Sequence, residues 1–176
     1  MRNIKFKNFV LDVDGVLTSR HVLYDSRGTA FKMFGPDDHD ALNMLRDKIN
    51  IFFITSNKRG FKISKRRIVD EMKFELFLVP FTERLEWLRN KVNLKETIFM
   101  GDGILDYLTF RKAGYSISPG DAFYKTRDEA DFVTKANGGE RAVAEACVHI
   151  LEKFFEEKEL QASKKYGAWG KKNANK

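Results

Sequence analysis

Short apolar runs alternate along the chain with stretches of helical period. Phe9–Val13 (FVLDV) is an apolar run broken by one acid, and Ile51–Thr55, Leu76–Val79, Thr97–Gly101, Tyr115–Ser118 and Phe132–Thr134 follow it. Runs this short, rich in β-branched and aromatic residues, suit strands buried on both faces. Between them, Asp40–Lys48 carries Ala41, Leu42, Met44 and Leu45, with Ile49 next. Thr82–Val92 repeats Leu85, Leu88 and Val92 behind Thr82 as N-cap, and 102–113 and 139–157 are further helix candidates. The alternation predicts an α/β fold, a three-layer Rossmann-like parallel sheet. One stretch departs from it. In His21–Phe34 two apolar segments flank Asp25–Gly28, which predicts a β-hairpin projecting from the sheet just after the first strand. No repeat or linker divides the body, so 1–158 reads as one domain.

Composition narrows this picture. With 176 residues, 43% of them hydrophobic and 32% charged, the chain reads as a single globular domain and not as a disordered or collagenous protein. Its one cysteine, Cys147, excludes an intrachain disulfide framework and fits a reducing cytoplasm. Cys147 itself reads as core. The segment before Asp12 is too short for a signal-peptide apolar stretch, and no run approaches the ~20 residues of a membrane span. The net charge of +7 invites a nucleic-acid partner, but five lysines lie in 161–176. Setting them aside leaves 27 basic against 25 acidic residues. The expectation is therefore no nucleic acid and no membrane, with 159–176 a flexible basic tail.

Candidate chemistry gathers where an open parallel sheet binds ligands, outside the carboxyl ends of its strands. Asp12 and Asp14 end the first strand, two positions apart and so expected on one side of it. Thr55, Ser56 and Asn57 end the second. Asp102 follows Thr97–Gly101, Asp106 comes one helical turn later, and Arg84 opens the helix after the third strand. Close carboxylates need a cation or a shared proton, and an oxygen-only set suits a hard ion such as Mg²⁺. Six cations in ten residues, Lys58 to Arg67, read either as a solvated helix face or as an electrostatic funnel for an anionic ligand. His39 reads either as a substrate contact or as a turn residue. Phe52, Phe53, Phe74, Phe77 and Phe81 read as core.

DVDGVLT (Asp12–Thr18) resembles the DxDGxxT motif of the haloacid dehalogenase-like phosphohydrolases. Thr55, Arg84 and GDGILD (Gly101–Asp106) match the later motifs in order, and the resemblance covers about residues 6–155. Only 43 positions separate Asp12 from Thr55 and 29 separate Thr55 from Arg84, which leaves no room for a cap domain. The hairpin, FKMFGPDDHDAL and GGERAVAE are similar to the 3-deoxy-manno-octulosonate 8-phosphate phosphatase subgroup, which includes nonulosonate 9-phosphate phosphatases. The chain departs from it at Pro36-Asp37-Asp38-His39, Thr55-Ser56-Asn57, Arg84 and Gly101-Asp102-Gly103.

The resemblance implies Asp12 as nucleophile, forming an aspartyl-phosphate, and Asp14 as general acid and then base, its pKa raised by nearby carboxylates. It implies Mg²⁺ on Asp12, Asp102 and the Asp14 carbonyl, with Asp106 behind them holding Arg84. Thr55 and Arg84 would bind the phosphoryl group. Ser56, Asn57, His39 and Arg66 are the further expected substrate contacts. It also implies a homotetramer built on the hairpin, a sugar-acid phosphate as substrate and a place in lipopolysaccharide biosynthesis. The alternatives are a nonulosonate 9-phosphatase, a weakly active oligomerisation module related to cytidylyltransferase-fused domains, or a nucleic-acid 3′-phosphatase.

Overall fold

The computed structural model describes residues 6–157. The basic tail lies outside them. Eight strands form, β1 (Asn8–Asp12), β2 (Thr18–Asp25), β3 (Gly28–Phe34), β4 (Asn50–Thr55), β5 (Glu75–Leu78), β6 (Thr97–Met100), β7 (Tyr115–Ser118) and β8 (Phe132–Val133). The helices are α1 (Asp38–Leu45), α2 (Phe61–Lys65, continued by a π-helical turn, Arg66–Glu71), α3 (Arg84–Lys91), α4 (Asp106–Phe110), α5 (Tyr124–Asp128) and α6 (Ala142–Phe155). Six strands make a parallel sheet in the order β5-β4-β1-β6-β7-β8.

Strand alternation sorts the core into two halves. Phe9, Leu11, Phe53, Ile98 and Met100 face one side and pack with Leu42 and Leu45 of α1, Ala146 and Ile150 of α6, and Ile68. Val10, Phe52, Ile54 and Phe99 face the other, with Leu88 of α3 and Phe110 of α4. The three layers follow. Cys147 is buried, as expected of a core residue. Phe81 is not core. It follows Pro80 in the turn before α3 and is 55% exposed.

β2 and β3 form the expected hairpin, a separate two-stranded sheet closed by Ser26 and Arg27. Helix ends differ from expectation. Thr82 caps nothing; a turn from the Pro80 carbonyl to the Glu83 N–H delays α3 to Arg84. Gly103–Leu105 makes a turn, so α4 starts only at Asp106. α5 has no counterpart among the predicted helices, because five residues are too few to show a period.

Candidate active site

β1 is central, and the connections leave it in opposite directions, to β4 and β5 on one side and β6 to β8 on the other. The crevice at its carboxyl end is the switch point of an open sheet. Asp12 is the last residue of β1 and is buried. Its Oδ1 accepts from the Val13 N–H at 2.7 Å, and its Oδ2 accepts from Arg84 Nη1 at 2.7 Å. The same Nη1 donates to Asp106 Oδ1 at 2.6 Å, and Arg84 Nη2 donates to Ser56 Oγ at 3.3 Å. Arg84 can reach back because it is the first residue of α3. Asp106 Oδ2 accepts from the Gly103 N–H at 2.9 Å, which fixes the turn after β6.

One carboxylate oxygen from each of Asp12, Asp102 and Asp106 lies within 4.8 Å of the others. Burial first, then the carboxylates of Asp12 and Asp106, push Asp102 up to about 9. Burial also raises Asp12, to about 6, against the lowering effect of Arg84. Burial opposes the Arg84 charge, but Asp12 and Asp106 overcome that and hold it more firmly protonated than free arginine. Three acids against one guanidinium leave negative charge uncompensated, and the donors are all oxygen, so the set fits a hard divalent cation. Gly15 makes the approach possible. Its φ is +86°, and a Cβ there would lie 2.0 Å from Asp102 Oδ2. Arg84 Nε is buried without a partner, a free donor beside Asp12.

Asp14 does not join the carboxylate cluster. The period-2 rule fails because β1 stops at Asp12. The Val13 carbonyl then accepts from the N–H groups of Val16, Leu17 and Thr18 in a tight turn. The Asp14 carboxylate instead accepts from Thr55 Oγ1 at 3.0 Å through Oδ2 and lies 2.6 Å from Lys32 Nζ through Oδ1. The groups that face it are thus a hydroxyl and an ammonium, where carboxylates were expected. Asn57 Oδ1 accepts from the Gly60 N–H, tying down the loop after β4.

Two expected contacts lie elsewhere. Asp37 adopts a left-handed conformation (φ 65°) and starts α1 so that His39 turns toward Phe74, edge to face at 6.4 Å. Burial and Arg67 lower the His39 pKa there. Arg66 is exposed and pairs with Glu71 Oε1 at 3.3 Å. Within one subunit, neither joins the cluster. Lys32 escaped the sequence reading. Its signal is an inverted alternation, a lysine pointing inward between the exposed Phe31 and Met33.

A parallel sheet with an Asp at the end of its central strand, an Asp two residues on, and Thr, Arg and paired Asp groups at neighbouring strand ends defines a haloacid dehalogenase-like phosphatase. The β1–β4 connection holds only the hairpin and α1, and β4–β5 only α2 and the π-helical turn, so the fold is capless. No family model matches the chain. Over 157 residues it is 31% identical to the 3-deoxy-D-manno-octulosonate 8-phosphate phosphatase KdsC of Haemophilus influenzae, covering 86% of this chain and 85% of that protein. The Escherichia coli K12 KdsC is 29% identical over 149 residues, 81% of this chain and 77% of that one. The Moraxella catarrhalis phosphatase, solved with magnesium ion, phosphate ion and KDO, superposes with a TM-score of 0.75 at 28% identity, covering 88% of this chain and 92% of that one. The cobalt-bound Haemophilus influenzae enzyme gives 0.75 at 26%, with the same coverage. The chain belongs to the 3-deoxy-D-manno-octulosonate 8-phosphate phosphatase family.

Proposed function

We propose that the chain is a Mg²⁺-dependent phosphatase that hydrolyses 3-deoxy-D-manno-octulosonate 8-phosphate or a closely related sugar-acid phosphate. The observation that carries this is the Asp12–Asp102–Asp106 cluster, bridged by buried Arg84 at the switch point of the sheet. Asp12, Asp102 and the Asp14 carbonyl would hold Mg²⁺, with Asp106 fixing Arg84 behind them. When bound, the ion neutralises carboxylate and phosphoryl charge. Asp12 attacks phosphorus, and the P–O bond to the sugar breaks as Asp14 donates its proton to the leaving oxygen. Water then attacks the aspartyl-phosphate and gives its proton to Asp14. The Asp12–phosphorus bond breaks, releasing inorganic phosphate and restoring both carboxyl groups. Thr55 and the free Nε of Arg84 serve the phosphoryl oxygens.

A second reading, a nonulosonate 9-phosphate, is kept open by the altered segments. Ser56 is engaged by Arg84, and Asp37 pairs with Arg141 at 2.6 Å, so both altered segments are tied to charged groups of this chain. Phosphate release from both esters and from a hexose phosphate, with Mg²⁺ and with chelator, tests the proposal. Mg²⁺-dependent turnover of a keto-acid phosphate, abolished by Asp12→Asn, is expected. A preference for the hexose phosphate, or turnover surviving Asp12→Asn, would overturn it.

The subunits assemble as a homotetramer through the hairpin and work in the cytoplasm, on the step that frees the sugar acid for lipopolysaccharide assembly. The exposed apolar hairpin supports the assembly, and the unpaired Cys147 a reducing compartment. Among the described residues no helix is long and apolar enough to cross a membrane.

A further inference from the structure

The hairpin sends one charged side chain into the body of the subunit. Lys32 lies on β3 with its side chain wholly buried, although its backbone stays partly exposed. Its ammonium is 2.6 Å from Asp14 Oδ1 and donates to Ser64 Oγ at 2.8 Å. Ser64, on α2, is itself fully buried and donates to the Gly60 carbonyl. Gly60 provides the passage. A Cβ there would stand 2.6 Å from Lys32 Cε and 3.1 Å from its Nζ. Gly60 has φ −89°, so its small size, not its backbone freedom, is what the site uses.

Burying an ammonium is costly unless a counter-charge and hydrogen bonds compensate it, and an apolar side chain would fill the same space at lower cost. The adjacent Phe31 and Met33 are 66% and 62% exposed, so the strand turns its apolar residues out and its cation in. That cation ends on one oxygen of the carboxylate to which the mechanism above gives the proton transfers. Thr55 Oγ1 holds the other oxygen, Oδ2, from β4. The two contacts, an ion pair from the hairpin and a hydrogen bond from β4, come from different parts of the fold and hold the carboxyl group from two sides.

We propose that Lys32 is a positioning residue for the acid–base step, aiming the Asp14 carboxyl group and tying the hairpin mechanically to the active site. This rests on the reading of Asp14 as general acid and base. Its signature is selective. An alkyl ester needs its leaving oxygen protonated, so mis-aiming Asp14 slows it, whereas an activated aryl ester leaves without help. Because Lys32 is engaged by Asp14 and Ser64, substrate affinity stays nearly unchanged.

The test compares Lys32→Met, Gly60→Ala and Asp14→Asn in the Mg²⁺-loaded full chain. The substrates are a sugar-acid phosphate and p-nitrophenyl phosphate. Gly60→Ala keeps the charge and every Asp14 atom while pushing the lysine aside and crowding Asn57 Nδ2 at 3.0 Å, so it is read beside Asn57→Ala, and it carries the test if Lys32→Met does not fold. Lys32→Met and Gly60→Ala are both expected to lower kcat on the sugar phosphate about 10- to 100-fold, a share of the 10²–10⁴ that general acid catalysis contributes, with KM within about twofold and a much smaller loss on the aryl ester. Propylammonium added to Lys32→Ala is expected to restore part of the sugar-phosphate rate. If Asp14→Asn lost both activities equally, the acid–base reading itself would fail. If Asp14→Asn discriminated between the substrates but Lys32→Met and Gly60→Ala did not, only the positioning role would fall. A rise in KM at unchanged kcat would make Lys32 a substrate contact instead and overturn the proposal.

Discussion

At the residue scale the site is an excess of carboxylate waiting on a cation. Asp102, held up to about 9, and Asp12, held up to about 6, retain protons that a metal must displace. In the metal-free protein both values lie above those of the unfolded chain. Their sign is therefore destabilising as pH rises, from about pH 4 through pH 6 for Asp12 and on through pH 9 for Asp102. A bound divalent cation removes that deficit. Apparent Mg²⁺ affinity is expected to climb with pH by up to about tenfold per unit for each proton displaced, more steeply at pH 5.5 than at pH 8. Thermal shift with graded Mg²⁺ at the two pH values checks this, and a pH-independent affinity would contradict it. Asp12, Thr55 and Asp102 were legible in the sequence because each sits at or just past a strand end, and Arg84 and Asp106 because each opens the helix that follows one. The direction of Asp14 was not legible, since it depends on where β1 hydrogen bonding stops. Lys32 was not legible as a partner because its hairpin meets the sheet only in three dimensions.

Elements are joined by a second buried acid. Asp38, the first residue of α1, is 1% exposed, and its Oδ1 accepts from the Ala144 N–H of α6 at 2.9 Å while Oδ2 has no partner. Burial raises it to about 6 despite that hydrogen bond. The folded state favours its protonated form. The contribution to stability is complete below about pH 4, falls as pH rises toward 6, and leaves a deficit of about 3 kcal/mol above that. Asp38→Asn retains the acceptor for Ala144 and cannot ionise. Its stability relative to wild type is therefore expected to increase between pH 4 and 6 and then level off, read by urea unfolding at fixed saturating Mg²⁺. A difference independent of pH would show that Asp38 is compensated by other means. Strands were read nearly to their ends because buried parallel strands are continuous apolar runs, as in Asn50–Thr55. Helix starts were misplaced by two or more residues, because they are decided by backbone conformations with no composition signal. Asp37 and Arg141, both at positive φ, set the starts of α1 and α6.

The whole molecule leaves one face unfinished. Leu23, Tyr24, Phe31 and Met33 are 58%, 62%, 66% and 62% exposed on a hairpin that forms its own two-stranded sheet. An isolated two-stranded ribbon is marginal in water, and this one is held to the body at its base by Thr18 and Phe34, by the Arg20–Asp121 ion pair, and by the contacts of Lys32 with Asp14 and Ser64. These side chains are already about two-fifths covered in the subunit, so burying the rest contributes less than the ~1.5–3 kcal/mol of full burial for each, and the four together favour assembly. Pairing of ribbons from several copies would also cap their open edges. We therefore expect a tetramer near four times the subunit mass by light scattering at micromolar concentration. Leu23→Asp with Tyr24→Asp, both on β2 and away from the strand that carries Lys32, is expected to give smaller species. Because the same ribbon carries the Lys32 that aims Asp14, dissociation should lower kcat on the sugar phosphate more than on an aryl phosphate. A stable monomer of the unaltered chain with full activity would remove both the assembly and its link to catalysis. A dissociated variant with undiminished kcat would remove the link alone.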